Sequence, residues 1–370
     1  MSDQAAPPRR SILDRLAQMK EDSPHPPSIA DPYGDPISAE SFETPTSGFH
    51  IGVTGELIAD DVAALPLYED SPDDPLDVNE DTLGSHHILL LPDSVTEEDL
   101  ETLALTIWNE AGWPASGVLR LLEGVTLEGP WPLSDEWKEE LGGPAHTSQA
   151  WLLRCHPRRG TAPSPTVMEF DEWARAFPDG MPVGIELKVL DALRRIARRL
   201  RGSIRISGSG QVITPDADSA VSVRVYGNRW IPPDKLRELL SPAIPGLRTP
   251  HPDPQTPGLP YALLAPVTPA SQVLIGVRQE AYAPRALRWE MWAKSHLYVY
   301  ELVWAAPDSM ADLSKAPTRR GRLERRRAND LIQTAAGLIE SALPNSAVID
   351  EDGFLLDLDV PLLEEEQQHL

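Results

Sequence analysis

The charges of this chain are separated along its sequence. From residue 21 to residue 119 there are 22 acidic residues and no lysine or arginine, and from residue 328 to the end there are ten acidic residues and no basic one. The stretch between them holds 29 basic and 23 acidic residues. The net charge of −24 therefore belongs to the two ends. A near-balanced centre can pack closely, whereas a segment of dense like charge repels itself.

The first 84 residues have the composition of a disordered acidic tail. They combine eleven prolines with dense acidity and only short apolar clusters, which bury too little surface to offset chain entropy. Residues 11–19 are an exception, because their apolar side chains fall at helical spacing behind Ser11 as an N-cap. This short amphipathic segment is either a transient helix or a docking segment for another protein. We also expect an acidic tail at 361–370.

The remaining chain predicts an α+β fold with mainly antiparallel sheets and packed amphipathic helices. Hairpins and short connections dominate, and the regular strand–helix alternation of a parallel sheet is missing. We expect an α+β subdomain at 85–178, a helix-hairpin subdomain at 179–245, a proline-rich linker at 246–260, and aromatic-rich strands followed by a C-terminal helix-hairpin at 261–360.

Two long amphipathic helices are predicted, at 186–201 and 322–343. A strand, a tight turn and a second strand follow each of them, which suggests an internal helix-hairpin repeat or the independent recurrence of a common arrangement. A further helix is expected from about Glu97 to Ala111, with Ser94 and Glu97 at capping-box spacing. Strands are expected at 86–91, 117–122, 150–155, 220–226, 261–265, 272–277, 286–292 and 297–304.

The motifs of several enzyme and metal-site classes are absent from the sequence. The single cysteine, Cys155, excludes an intramolecular disulfide, and the nine histidines show no ligand spacing. No phosphate-binding glycine loop or serine nucleophile elbow occurs. The acids at 350–352 fail as a calcium loop and instead fit a hairpin corner, with Asp352 and Gly353 as a type I′ turn pair. We therefore expect no catalytic residue, no metal and no cofactor.

Arginines concentrate in the two long helices. The positive charges that open the second helix lie at the positive end of its dipole, so an anion should compensate them. Three explanations remain open: a solvated face, pairing with the acidic ends of the chain, and an external polyanion. The candidate partner- or anion-binding residues are Arg194, Arg195, Arg198, Arg199, Arg322, Arg325, Arg326 and Arg327.

Aromatic residues concentrate in one predicted pair of strands. Alternation places Tyr298, Tyr300 and Trp304 on one face, which is either core or a partly open surface able to bind a peptide or base. The candidate aromatic surface consists of Trp289, Trp292, Tyr298, Tyr300 and Trp304.

The sequence favours a cytoplasmic, non-enzymatic protein–protein interaction or adaptor protein. No window is long and apolar enough to span a membrane, and the start lacks the apolar region of a secretory signal. The excess of arginine over lysine, 27 against 6, is typical of a high-GC bacterial genome. We expect another protein as the partner and acidic flanks that mask the arginine-rich core. The alternatives are an enzyme whose site is assembled from distant residues and a nucleic-acid- or phosphate-binding protein. The sequence indicates no oligomeric state.

Overall fold

The computed structural model describes residues 84–250, 258–306 and 318–358. The disorder predicted before Gly84, the helical segment at 11–19 and the acidic tail at 361–370 lie outside these residues. Within the described part the chain is α+β and its sheets are antiparallel, which confirms the predicted class.

The described residues form seven α-helices and thirteen strands. The helices are α1 (Glu97–Ile107), α2 (Asp135–Leu141), α3 (Pro165–Phe170), α4 (Glu172–Ala176), α5 (Gly184–Arg199), α6 (Pro233–Leu240) and α7 (Arg319–Ala342). The strands are β1 (His87–Leu91), β2 (Gly112–Ala115), β3 (Val118–Leu122), β4 (Val125–Pro132), β5 (Gln149–Arg154), β6 (Ser203–Arg205), β7 (Val212–Ile213), β8 (Val223–Gly227), β9 (Tyr261–Thr268), β10 (Ser271–Glu280), β11 (Leu297–Ala305), β12 (Ser346–Asp350) and β13 (Leu355–Leu356).

The strands make two sheets. The first has the order β2-β3-β4-β5-β1-β6-β7, and the second has the order β13-β12-β8-β11-β10-β9. The first sheet takes strands from both sides of the boundary expected at residue 178, since α5 and β6 pack with β1. The subdomain limits themselves stay predictions.

Each sheet is covered on both faces. On the first sheet α1 and α5 bury one face through Leu100 and Leu193, while α2 covers the other through Leu141. On the second sheet α6 and α7 bury one face through Leu236 and Ile332. Two 3-10 turns between β10 and β11 cover its other face. Burial of these apolar side chains is the main source of stability for both layers.

Local chemistry fixes where the helices begin and end. The N-cap of α1 is Thr96, which forms a capping box with Asp99, and the helix ends at Ile107, so the predicted pairing of Ser94 with Glu97 is wrong. Thr318 caps α7 through the amide of Gly321. The proline at residue 344 follows Leu343, the C-cap of α7, where a helix cannot continue.

One predicted strand is not a strand. Residues 286–292 run from the 3-10 turn Arg285–Leu287 into the 3-10 turn Met291–Lys294. Pro284 precedes the first turn, and Leu287 and Ala293 pack against the outer face of the second sheet. The alternation of apolar residues there reflects a covering segment that lies across the sheet, and tertiary packing overrides the local strand pattern.

Candidate functional site: an arginine ridge on helix α7

The candidate arginines of α5 all contact other groups of the fold, although Arg194 remains exposed. Arg194 pairs with Asp191 at 3.0 Å. Arg195 is 7% exposed, and its guanidinium lies 5.6 Å from the centre of the Phe354 ring. Arg195 is therefore not available at the surface.

Arg198 and Arg199 bind the acidic turn between β12 and β13. Arg198 donates through Nε to Asp352 at 2.7 Å and through Nη1 to Glu351 at 2.9 Å. Arg199 lies 3.6 Å from Asp350 through Nη1. Burial alone would lower the pKa of Arg198, but its bonds to Asp352 and Glu351 outweigh burial and the pKa is raised. These residues join the second sheet to the helix that packs on the first.

The acidic turn is a hairpin corner, as predicted, but its type differs. Of its residues only Gly353 has a positive φ, +90°, so Asp352 and Gly353 do not form a type I′ turn, which needs positive φ at both central positions. Asp350 instead accepts hydrogen bonds from the amides of Asp352 and Phe354 at 3.0 and 2.9 Å. In the described part of the chain, no group of three or more potential metal ligands could hold an ion.

Most arginines of helix α7 are exposed, unlike Arg195 and Arg198 of α5. Arg325 pairs with Asp216 at 2.6 Å, and five other arginines of its first nine residues are exposed. At 100° per residue these five occupy an arc of about 160° on one side of the helix. We call this surface the arginine ridge; it consists of Arg319, Arg320, Arg322, Arg326 and Arg327.

The ridge has an exposed apolar residue at its centre. Leu323 is 54% exposed and lies between the rows that contain Arg319 and Arg320. The opposite side of the helix is buried through Gly321, Glu324 and Ala328. The ridge is thus a charged surface with an apolar contact in the middle.

The ridge is held in place by Glu324. Its carboxylate accepts hydrogen bonds from the hydroxyls of Thr268 and Ser271, both at 2.6 Å. These two bonds lower the pKa of Glu324, and the nearby Arg320 and Arg327 lower it further. The ionised carboxylate therefore ties the first turns of α7 to the turn between β9 and β10.

Four arginines of the ridge make no ion pair within the described part of the chain. Among the described residues, Arg319, Arg320, Arg326 and Arg327 make no ion pair closer than 4.0 Å. Like charges at i,i+3, i,i+4 and i,i+7 spacing repel, and all lie at the positive end of the helix dipole. An external anion at this surface would remove an existing electrostatic cost.

The aromatic candidates do not form one surface. Tyr300 is fully buried and its hydroxyl donates to the carbonyl of Arg229 at 2.8 Å. Tyr298 and Trp304 share its face and pack at the edge of the core, as alternation predicts. Trp289 is 77% exposed, whereas Trp292 packs beside the outer face of the second sheet.

The fold also contains a buried cluster of titratable side chains that the sequence patterns did not predict. His87 contacts the Glu186 carboxylate through Nε2 at 2.9 Å and accepts from the Ser207 amide through Nδ1 at 3.1 Å. Glu186 also accepts from the amide of Arg158 at 2.7 Å and pairs with Arg159. Burial lowers the pKa of His87, so the ring is neutral.

This cluster does not have the geometry of a catalytic triad. The Ser207 hydroxyl lies 3.4 Å from the same ring nitrogen that contacts Glu186, and the other nitrogen is taken by a backbone amide. A triad needs the carboxylate and the hydroxyl on opposite nitrogens. Burial also raises the pKa of the Cys155 thiol to about 12, which leaves no thiolate nucleophile at neutral pH. Residues separated by about a hundred positions meet here, so no spacing rule could have found the cluster.

No protein-family model, curated protein or solved structure matches the chain. Among the described residues, no helix has the length and apolar character needed to cross a membrane.

Proposed function

We propose that this protein is a non-enzymatic interaction or adaptor protein whose arginine ridge binds an acidic segment of another protein. The observation that carries the proposal is the contrast between the two arginine clusters. Arg198 and Arg199 are taken up by internal acids, whereas four arginines of the ridge remain exposed without an ion pair in the described part of the chain.

The character of the ridge favours a protein over a nucleic acid. Leu323 lies exposed among the arginines, and an apolar contact surrounded by charge is typical of protein interfaces. Phosphate-backbone binding requires positive charge and gains nothing from an aliphatic side chain at its centre. The partner we infer is an acidic segment with at least one large apolar side chain.

We further infer that the chain contains two copies of one structural unit. When β2, α3 and α4 are left out, the first unit has the order β1, α1, β3, β4, α2, β5, α5, β6, β7. This order corresponds to β8, α6, β9, β10, the 3-10 turns, β11, α7, β12, β13 in the second unit. The strand orders β7-β6-β1-β5-β4-β3 and β13-β12-β8-β11-β10-β9 correspond as well. This correspondence extends the predicted helix-hairpin repeat to the whole unit.

The two units differ in a way that supports a binding role for the ridge. The C-caps Leu200 and Leu343 correspond, and with the same offset the buried Val189 and Ile196 match Ile332 and Ile339. On this match the first residue of α5 corresponds to Arg327, so α7 is eight residues longer at its N-terminus. Because α5 completes its unit without such an extension, the exposed arginines of the extra turns can serve a partner, while Glu324 anchors the same turns to the second sheet.

The test compares two full-length variants that lose the same charge. One changes Arg319, Arg320, Arg326 and Arg327 to Gln, and the other changes the exposed Arg120, Arg194, Arg229 and Arg248 to Gln. Binding of a fluorescein-labelled glutamate-rich peptide that contains leucine is followed by anisotropy at low salt. We expect roughly thirtyfold weaker binding for the ridge variant and little change for the control.

Two outcomes would overturn the proposal. Equal losses in both variants would show that only net charge matters. Tighter binding of duplex DNA than of the peptide, with affinity falling steeply as salt rises, would assign the ridge to nucleic acid instead. Replacing Leu323 by Ser should weaken peptide binding and leave DNA binding unchanged if the proposal holds.

A further inference from the structure

We propose that the acidic segment 67–83 of this chain occupies the arginine ridge and competes with the partner. This regulation rests on the proposed function, because it concerns the same surface. The segment has the sequence LYEDSPDDPLDVNEDTL, which contains seven acidic residues and no basic one.

The chemistry of the segment matches the ridge. Its acids are interrupted by Leu76 and Val78, so it offers an apolar side chain to Leu323 and carboxylates to the surrounding arginines. The backbone that carries these arginines is held in place because Glu324 anchors the helix. Exposed guanidinium–carboxylate pairs are individually weak but add up over several contacts.

The position of residue 84 places the segment within reach. The carbonyl of Gly84 accepts from the amide of Gly208, which puts the end of the segment at the turn between β6 and β7. The chain then passes along β7 to Asp216, which pairs with Arg325 beside the ridge. Eight residues separate Gly208 from Asp216, so these two points are at most about 30 Å apart.

The length of the segment suits this separation. A fully extended chain of seventeen residues reaches at most about 60 Å, which is twice the largest separation of Gly208 from Asp216. A tether whose span matches the distance holds its end at an effective concentration on the order of millimolar. For a weak intrinsic affinity, taken as a dissociation constant of about 0.1 mM, this effective concentration weakens the apparent affinity of a competing peptide roughly tenfold.

The experiment neutralises the segment in the full-length protein. One variant changes all seven acids to the matching amides, Asp to Asn and Glu to Gln. The control makes the same change at seven acids nearer the N-terminus, so the net charge of both variants rises by the same amount. The test set is Glu69, Asp70, Asp73, Asp74, Asp77, Glu80 and Asp81, and the control set is Glu21, Asp22, Asp31, Asp35, Glu40, Glu43 and Glu56.

Binding of the labelled glutamate-rich peptide is the measurement. We expect about tenfold tighter binding for the 67–83 variant, at most a small gain for the control, and loss of the gain when the four ridge arginines are also changed to Gln. Equal gains in peptide affinity for both variants would overturn the inference, because the change in net charge alone would then explain them. No gain in a protein whose peptide binding still depends on the ridge would overturn the inference and leave the proposed function standing. Binding that ignores the ridge in every variant would overturn both.

Discussion

At the scale of single residues, Asp350 shows how burial and charge compete. The carboxyl group is 7% exposed, accepts two amide hydrogen bonds and faces Arg199 at 3.6 Å. Burial is nevertheless the largest influence, and the neighbouring Asp352 acts in the same direction, so the pKa of Asp350 is raised to about 6. The folded protein therefore binds a proton at this site more tightly than the unfolded chain does.

The raised pKa of Asp350 predicts a stability that falls with pH. The contribution is fully present below the unfolded pKa of 3.8 and is lost as the pH rises to about 6, a change of about 3 kcal/mol at most. Asp350→Asn keeps an oxygen for the two amides and removes the charge. We expect urea denaturation to show the variant more stable than the parent at pH 7 and equal to it near pH 4.

The partner acid provides the control for this prediction. Asp352→Asn removes a charge that Arg198 holds at hydrogen-bond distance, so this variant should be destabilised at pH 7. If both variants lowered stability at pH 7, the burial of Asp350 would not be the dominant influence on its pKa.

At the scale of elements, the C-terminal hairpin is the piece that joins the two sheets. Its residue Phe354 is 1% exposed and packs in the core of the first sheet, although β12 and β13 belong to the second. The arginines of α5 surround the turn that carries it. A short hairpin is marginal alone, so its position depends on this docking.

The docking predicts a large effect of truncating Phe354. Phe354→Ala should cost about 3–5 kcal/mol in the free energy of unfolding, because the cavity left in the first core cannot collapse fully. The adjacent Leu355 is half exposed, and Leu355→Ala should cost less than about 1 kcal/mol. Urea denaturation of both variants measures the difference, and similar losses would contradict the burial of Phe354.

At the scale of the whole molecule, side-chain contacts couple the two layers of the described residues, and two of them are made by arginines of α5 and of the 3-10 turns. One is the α5 contact with the acidic turn. The other consists of Arg285 and Arg288, which donate to the carbonyls of Ile107 and Leu105 at 2.5 and 2.7 Å and so satisfy the open end of α1. Cations at a helix C-terminus also interact favourably with its dipole.

These contacts predict that the described part of the chain unfolds as one unit. Calorimetry of the parent should show a single transition for it, and the double variant Arg198→Ala, Arg288→Ala should broaden or split that transition. Arg194→Ala, which removes only a pair within α5, serves as the control. A single sharp transition at lower temperature in the double variant would mean that the two arginines add stability without coupling the layers.

Local patterns predicted most of the elements. The apolar stripes of α5 and α7 and the alternation of β10 and β11 are properties of neighbouring residues, so the sequence reveals them. The same reasoning failed at residues 286–292. Their apolar residues alternate as in a strand, but they form turns that pack on the outer face of the second sheet. It also failed at the N-cap of α1 and in the type of turn at Asp352, because several residues there can serve the same local role.

The sequence alone determined the class of the fold, the long helices and the two arginine clusters, because each depends on side chains a few positions apart. It could not determine which arginines are available to a partner. Arg198 and Asp352 are 154 positions apart, and only the packing of the second sheet against α5 brings them together. That tertiary contact pairs Arg198 and Arg199 of the first cluster with internal acids, whereas the ridge on α7 stays exposed, since opposite charges pair where the fold places them.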